Sequence, residues 1–101
     1  CVLETASVHF CVEAGLTTIA TGGIRHGMDV ARAIALGASC AGIARNVYQA
    51  LLEGGAEGAR DFLLRVEREL RSIMLLCGAK SIEELQQAPR IVTGELRDWI
   101  A

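Results

Sequence analysis

The sequence has 101 residues, of which 51% are hydrophobic, 22% charged and 4% aromatic, and its formal net charge is −2. This length limits the chain to one domain. Because acidic and basic residues are interspersed, a surface for nucleic acid or for an anionic membrane has no electrostatic support. No apolar run approaches the roughly 18 residues of a membrane-spanning helix. We therefore expect neither nucleic acid nor a membrane as a partner.

The cysteines and the first residues of the chain indicate the compartment. Cys1, Cys11, Cys40 and Cys77 form no Cys-x-x-Cys pair and have no metal-ligand spacing. We interpret them as reduced, small apolar residues of a cytoplasmic protein. The start of the chain lacks the basic segment of a secretory signal. Because the chain does not begin with Met, we expect it to be a segment of a longer protein.

The first 20 residues predict one helix and one strand. Residues 2–14 have helical periodicity, and Gly15 supplies a stop. The run Leu-Thr-Thr-Ile-Ala at 16–20 is short and rich in β-branched residues, so we expect a buried strand there. The apolar face predicted for the helix contains Val2, Ala6, Phe10 and Ala14.

The next segment repeats this order. A helix is expected over residues 28–36, with Asp29 in its first turn, where a carboxylate favours the positive end of the helix dipole. Gly37 follows the helix, and residues 39–44 predict a second short strand. The small residues expected to allow close approach of the helix to a sheet are Ala31, Ala33 and Ala35.

The remaining residues are predicted to be helical for the most part. A helix over 47–52 should be broken by the glycine-rich stretch at 54–58, and residues 60–77 have the clearest helical periodicity. Gly78 ends that helix. Its predicted buried stripe contains Leu63, Val66, Leu70, Ile73, Met74 and Cys77.

A capping box predicts one more short helix. Ser81 can accept a hydrogen bond from the amide of Glu84, whose side chain can reach back to the start of the helix. This helix must stop before Pro89. Residues 90–101 have no strong periodicity.

Short apolar strands that alternate with helices predict an α/β fold with parallel strands. Two strands do not make a self-sufficient parallel sheet, because such sheets have several members and are covered on both faces. A complete (β/α)8 barrel needs roughly 250 residues. The chain is incomplete as a barrel, and we therefore expect it to belong to something larger or to need partner chains.

The turn after the first strand predicts an anion-binding site. Gly22 and Gly23 leave backbone amides unobstructed by Cβ atoms, and the guanidinium of Arg25 follows within reach. The second strand ends in the same way, with small residues up to Ala44 and then Arg45. In α/β barrels, phosphate commonly binds at the loops after the last two strands. Two matching strand ends favour one shared phosphate over ordinary turns with solvated arginines.

At this point the sequence resembles a known family. The stretch TGGIRHGMDVARAIALGASCAGIAR at 21–45 is similar to the seventh-to-eighth strand region of FMN-dependent barrels, which type 2 isopentenyl-diphosphate isomerases share with 2-hydroxy-acid oxidases. Thr21, where the oxidases typically have Asp, and the tail Thr93 to Trp99 favour the isomerases. The resemblance runs from about Thr18 to Trp99.

The resemblance implies that residues 1–101 are the C-terminal segment of an FMN-binding (β/α)8 barrel. It implies reversible interconversion of isopentenyl and dimethylallyl diphosphate on reduced FMN, with Mg2+ holding the diphosphate and NAD(P)H reducing the flavin. The Mg2+ ligands and the substrate-contacting residues would lie outside this chain. Carried over residue by residue, the FMN-phosphate site consists of Gly22, Gly23, Ile24, Arg25, Ala44 and Arg45.

Other polar residues near this turn have competing interpretations. His26 could contact the anion or could merely occupy the start of the helix. Asp29 could position Arg25, although its favourable place in the helix dipole is sufficient explanation by itself. We interpret Glu4 as a solvated helix residue.

Two alternatives to the isomerase remain open at this point. The chain could belong to an FMN-dependent 2-hydroxy-acid oxidase or dehydrogenase, whose catalytic His-Gly-x-Arg segment would precede Cys1. It could also be a non-catalytic fragment that does not bind flavin. The segment alone is expected to be inactive. If it folds, we expect it to form homo-oligomers that cover its open sheet edges.

Overall fold

A computed structural model describes residues 2–88, with side chains from Glu4 onward. Pro89, the tail at 90–101 and Trp99 lie outside the described residues, and so do the predictions made for them. Helices and strands alternate as the sequence predicts. The elements are α1 (Val2–Glu13), β1 (Ile19–Ala20), α2 (Gly27–Ala35), β2 (Cys40–Ala41), α3 (Arg45–Cys77) and α4 (Ile82–Gln86).

The two strands are parallel, as predicted, with Ile19 opposite Cys40 and Ala20 opposite Ala41. They are shorter than the sequence suggests, although the amide of Gly42 extends the pairing by donating to the carbonyl of Ala20 at 2.7 Å. Ala20 is buried, whereas Ile19 is 65% exposed. The prediction of a fully buried strand is therefore wrong for one face of β1. That face has no second layer within the described residues.

Helix α1 packs against the sheet through a different face from the predicted one. Ala6 is buried as expected, but Phe10 is 51% exposed, and Val8 and Val12 make the contact instead. Val12 packs against Gly37, where an added Cβ would lie 2.6 Å from a Val12 methyl group. This close approach suits a compact β-branched side chain, because a Phe side chain is too large for it.

Helix α2 is the centre of the packing. It ends as predicted, with Gly37 in a positive-φ conformation (φ 111°) after Leu36. One face of α2 packs with α1 and β1, and the other packs with α3 and α4. Short side chains make this double contact possible because they let α2 approach neighbours on both sides. The buried residues within α2 are Gly27, Val30, Ala31, Ala33 and Ile34.

Helix α3 is interrupted at Gly55, within the predicted glycine-rich break. Gly55 has φ 66° and ψ −158°, which are not helical. The helical segments before and after Gly55 are both longer than predicted. The first begins at Arg45 rather than Val47, and the second begins directly after Gly55 rather than at residue 60. Only one residue leaves the helical conformation, so the remaining glycines of 54–58 stay helical despite their low propensity.

The buried stripe of α3 agrees with the prediction except at its ends. Val66 is buried, and Leu70, Ile73 and Met74 pack around it together with Phe62. Leu63 is 49% exposed because the buried face is centred on Phe62 and Val66, one helical turn apart. Cys77 is exposed rather than part of the core, since the buried cluster extends along α3 only as far as Met74.

Helix α4 begins at the predicted capping box, with one difference in partner. The amide of Glu84 donates to Oγ of Ser81 at 3.1 Å, but the Glu84 carboxylate accepts from the amide of Lys80 at 2.8 Å, one residue before the cap. Leu85 is buried, and Nε2 of Gln86 donates to the carbonyl of Ala38 at 3.0 Å. These contacts hold α4 against the loop that follows α2. None of the helices in residues 2–88 combines the length and apolarity that crossing a bilayer requires.

Candidate functional site

The two predicted turns leave the sheet from the same edge. Because β1 and β2 are parallel and in register, Thr21 and Gly42 follow the paired residues Ala20 and Ala41 side by side. A Cβ atom at Gly42 would lie 3.3 Å from Oγ1 of Thr21. The loops that lead to α2 and α3 therefore begin next to each other.

The first turn has the backbone conformation that its glycines predict. Gly22 and Gly23 have φ 88° and 75°, in the left-handed region that favours glycine. Both residues are exposed. The side chain of Glu4 lies over Gly22, because its Cγ would be 3.1 Å from a Cβ at that position. The interpretation of Glu4 as simply solvated missed this contact, which no local sequence pattern indicates. A hydrogen bond from its own backbone amide lowers the pKa of the Glu4 carboxyl.

Ile24 fixes the turn to the protein interior. Its side chain is half-buried and packs against both hydrophobic clusters, one on each side of α2. Within the predicted phosphate segment, Ile24 can therefore offer its backbone amide to a ligand while its side chain is part of the core. The exposed residues Gly23 and Arg25 flank it.

Arg25 is held through its backbone. Its amide donates to Oδ2 of Asp29 at 3.0 Å, whereas its side chain is exposed. His26 occupies the N-cap position of α2 without making a side-chain cap hydrogen bond, and its Nε2 lies 3.5 Å from Oδ2 of Asp29. The guanidinium of Arg25 is therefore displayed to solvent next to a helix N-terminus that no side chain caps.

The second turn is built in a related way. Ala44 is the N-cap residue of α3 and makes no side-chain cap hydrogen bond, and Arg45 is the first residue of the helix. Both residues are exposed. A helix N-terminus carries unpaired amides and a partial positive charge, which are favourable for an anion. Two such helix starts, each with an arginine, therefore follow neighbouring strand ends.

The six predicted site residues thus occur in two neighbouring loops. They combine a turn with two left-handed glycines, two helix starts without a side-chain cap and two exposed arginines, and such groups can bind an anion. Among residues 2–88, no three His, Cys, Asp or Glu side chains are close enough to hold a metal ion.

The comparisons with known proteins agree with this arrangement. The model of the FMN-dependent dehydrogenase family matches residues 4–92, which include both turns. The chain belongs to this family. The resemblance noted in the sequence is therefore confirmed at the level of the FMN-dependent group of proteins.

Among the curated relatives are several isopentenyl-diphosphate delta-isomerases. The one from Methanopyrus kandleri is 44% identical over 99 residues, and the one from Methanothrix thermoacetophila is 46% identical over 92 residues. These matches cover 98% and 91% of this chain but 26% of each relative. The chain thus spans about a quarter of the length of the relatives it matches, and the resemblance to the isomerases is confirmed over that quarter.

Solved structures share the fold. A mandelate oxidase with benzoyl-formic acid matches 87% of this chain with a TM-score of 0.76 and 33% identity, over 26% of its own length. A lactate oxidase of Pediococcus acidilactici, itself described as putative, matches 84% with a TM-score of 0.74 and 30% identity. The predicted fold class is confirmed: the two parallel strands and their helices are part of a (β/α)8 barrel.

Proposed function

We propose that this chain supplies the FMN-phosphate site of an isomerase that interconverts isopentenyl diphosphate and dimethylallyl diphosphate. The observation that carries the proposal is the juxtaposition of two strand ends, each followed by an uncapped helix N-terminus and an arginine. The names of the relatives supply the reaction, since the isomerases match this chain at 37–46% identity.

The site fits the phosphate of FMN on physical grounds. In this proposal the backbone amides of Gly23 and Ile24 and those at the starts of α2 and α3 donate to phosphate oxygens. Arg25 and Arg45 balance the charge, and a guanidinium can bind two oxygens at once. Gly23 has a positive φ of 75°, a conformation in which residues with a side chain are strongly disfavoured. The glycine it requires has no Cβ atom that could obstruct a phosphate.

In this proposal the residues of the chain bind and orient the flavin, while the catalytic groups are elsewhere in the barrel. Bound reduced FMN would supply the acid–base chemistry of the double-bond shift. Residues of the two loops would hold the phosphate of FMN in place, and such positioning of a cofactor lowers the entropic cost of reaction. The family resemblance further implies Mg2+ for the diphosphate and NAD(P)H for reduction, with ligands outside this chain, in a cytoplasmic homo-oligomer.

The binding assignment is tested in a chimaera. In the barrel chimaera, this chain replaces the matching 99-residue segment of the Methanopyrus kandleri isomerase. We expect the chimaera to retain FMN and to isomerise isopentenyl diphosphate. We expect Arg25→Ala to weaken FMN binding by about 10-fold or more, because a hydrogen bond to a charged group contributes about 1.5–3 kcal/mol. Gly23→Val should also release flavin, since valine is strained at positive φ. Flavin fluorescence during titration measures both effects.

Arg71→Ala is the matched control, because it removes the same charge from the exposed side of α3. Arg71 pairs with Glu67 at 2.9 Å, and its side chain is 77% exposed. A surface pair of this kind contributes little to stability, so FMN affinity should not change. Unchanged FMN binding in both Arg25→Ala and Gly23→Val would contradict the assignment of the turn.

A 2-hydroxy-acid oxidase is the second candidate, favoured by the structural similarity to a mandelate oxidase. The lower identity of that match and the presence of Thr21, where the oxidases typically have Asp, favour the isomerase. The protein that contains this chain should convert isopentenyl diphosphate and leave 2-hydroxy acids unoxidised. Oxidation of mandelate or lactate without isomerisation would reverse the order of the two candidates. If neither reaction occurs and no flavin is retained, the third alternative of a non-catalytic segment is favoured.

A further inference from the structure

Asp29 contacts both ends of the loop-to-helix junction that follows β1. Its Oδ2 accepts the amide hydrogen of Arg25 at 3.0 Å and lies 3.5 Å from Nε2 of His26. Its Oδ1 lies 3.8 Å from a guanidinium nitrogen of Arg32, one turn further along α2. The Asp29 side chain is only 17% exposed, in contrast to 70% for Arg32. A sheltered carboxylate thus accepts from the backbone of the turn itself.

The same hydrogen bond occurs at α4, far along the chain. There Glu84 accepts from the amide of Lys80, four residues earlier, just as Asp29 accepts from Arg25. At the start of α4 the Ser81 hydroxyl makes a second stabilising contact, because it accepts a hydrogen bond from the amide of Glu84. His26 makes no such cap bond at α2. The conformation of the loop before α2 therefore depends more on the Asp29 carboxylate than the loop before α4 depends on Glu84.

This hydrogen bond determines which groups of the turn face a ligand. With its amide engaged by Asp29, Arg25 is left with its guanidinium as the group it can offer to an anion. The proposed phosphate site assigns the amides of Gly23 and Ile24 to the phosphate, and the half-buried side chain of Ile24 limits rotation of the turn on one side. The hydrogen bond between the Arg25 amide and Asp29 limits rotation of the turn on the other side. The turn is thus held at both ends of the segment that would contact phosphate.

We propose that Asp29 is a positioning residue for the anion-binding turn, acting through its hydrogen bond to the Arg25 amide. The proposal rests on the proposed FMN-phosphate site for its functional part. The alternative is that Asp29 acts only as a negative charge in the first turn of α2, which stabilises the helix dipole without affecting the loop. A hydrogen-bond acceptor and a negative charge can be separated experimentally, because asparagine retains the first and lacks the second.

Hydrogen exchange tests the hydrogen bond whether or not flavin is present. We compare Asp29→Ala and Asp29→Asn in the barrel chimaera and in the full 101-residue chain. Asp29→Ala should increase exchange of the Arg25 amide by about 10-fold, as expected when a hydrogen bond of about 1.4 kcal/mol is lost. Asp29→Asn should leave most of the protection, since its side-chain oxygen can still accept. Glu84→Ala is the matched control and should affect the Lys80 amide but not the turn at 22–26.

FMN affinity then tests positioning. We expect Asp29→Ala to weaken FMN binding by about 10-fold and Asp29→Asn to weaken it by less than about 3-fold. Glu84→Ala should lower the melting temperature, because it removes the equivalent hydrogen bond at α4, but it should leave FMN affinity unchanged. An equal loss of FMN affinity in Asp29→Asn and Asp29→Ala would overturn the proposal. Unchanged exchange of the Arg25 amide and unchanged FMN affinity in Asp29→Ala would overturn it as well. If the unsubstituted chimaera binds no FMN, or if neither Arg25→Ala nor Gly23→Val weakens FMN binding, the proposed function fails. The exchange data then still decide whether Asp29 holds the turn.

Discussion

At Gly27, helix α2 packs directly against the backbone of α3. It begins α2 and is buried, and a Cβ atom there would lie 2.7 Å from the backbone nitrogen of Leu70 and 2.8 Å from the carbonyl oxygen of Val66. Backbone atoms in the middle of a helix cannot move aside as a flexible side chain can. The glycine therefore permits the close packing of the two helices, and with it the position of the α2 N-terminus relative to the turn at 22–26.

Substituting Gly27 by alanine should destabilise the fold. We expect a loss of about 1–3 kcal/mol in the free energy of unfolding, which is the usual cost of inserting a methyl group into a packed interior. Urea unfolding of the barrel chimaera measures the effect. Gly54→Ala is the control, because Gly54 is helical and has nothing within 4 Å of a new Cβ. Alanine is the better helix former, so that variant should gain up to about 1 kcal/mol. Equal stability of both variants would show that α2 and α3 are not in close contact.

At the scale of elements, helices α2, α3 and α4 begin in two different ways. Helix α4 begins with the Ser81 capping box and is fixed by side chains, whereas α2 and α3 begin without a side-chain cap. The two uncapped helices are the ones that follow the strands. An uncapped start leaves amides unpaired, which is costly unless water or a ligand satisfies them. The difference agrees with a structural role for the start of α4 and a binding role for the other two.

Removing the cap of α4 should therefore cost stability and leave binding unchanged. We expect Ser81→Ala to lower the free energy of unfolding by about 1 kcal/mol, the typical contribution of an N-cap side chain. Ser72→Ala is the matched control, since the Ser72 hydroxyl donates to the Arg68 carbonyl on the exposed surface of α3. That control should change stability by less than about 0.5 kcal/mol. Thermal unfolding distinguishes the two, and a loss of FMN in Ser81→Ala would contradict the assignment of α4 to a structural role.

At the scale of the molecule, the sheet has one covered and one uncovered face. Ala20 and Ala41 point towards the helices, while Ile19 and Cys40, which are paired with each other, are exposed on the opposite face. In a (β/α)8 barrel, the side chains that point away from the helices fill the barrel interior. The described part of this chain leaves that interior surface open.

Cysteine labelling can detect the closure of this face. We expect Cys40 to react readily with a thiol reagent in the 101-residue chain and much more slowly in the barrel chimaera, because neighbouring strands then cover it. Cys77 is exposed at the end of α3 and should react in both proteins. Peptide mass spectrometry resolves the two sites. Equal labelling of Cys40 in both proteins would contradict a barrel in which β2 is an interior strand.

The sequence by itself determined the local structure and the chemical character of the turn. Periodicity located the helices, Gly37 and Gly78 marked helix ends, and the paired glycine–arginine segments predicted two anion-binding loops, because these features depend on neighbouring residues. Only the tertiary structure decided which face of α1 is buried, and that the half-buried Ile24 side chain packs against both hydrophobic clusters. It also decided that Asp29 is bonded to the Arg25 amide. Burial depends on which distant elements come into contact, and a local pattern does not contain that information.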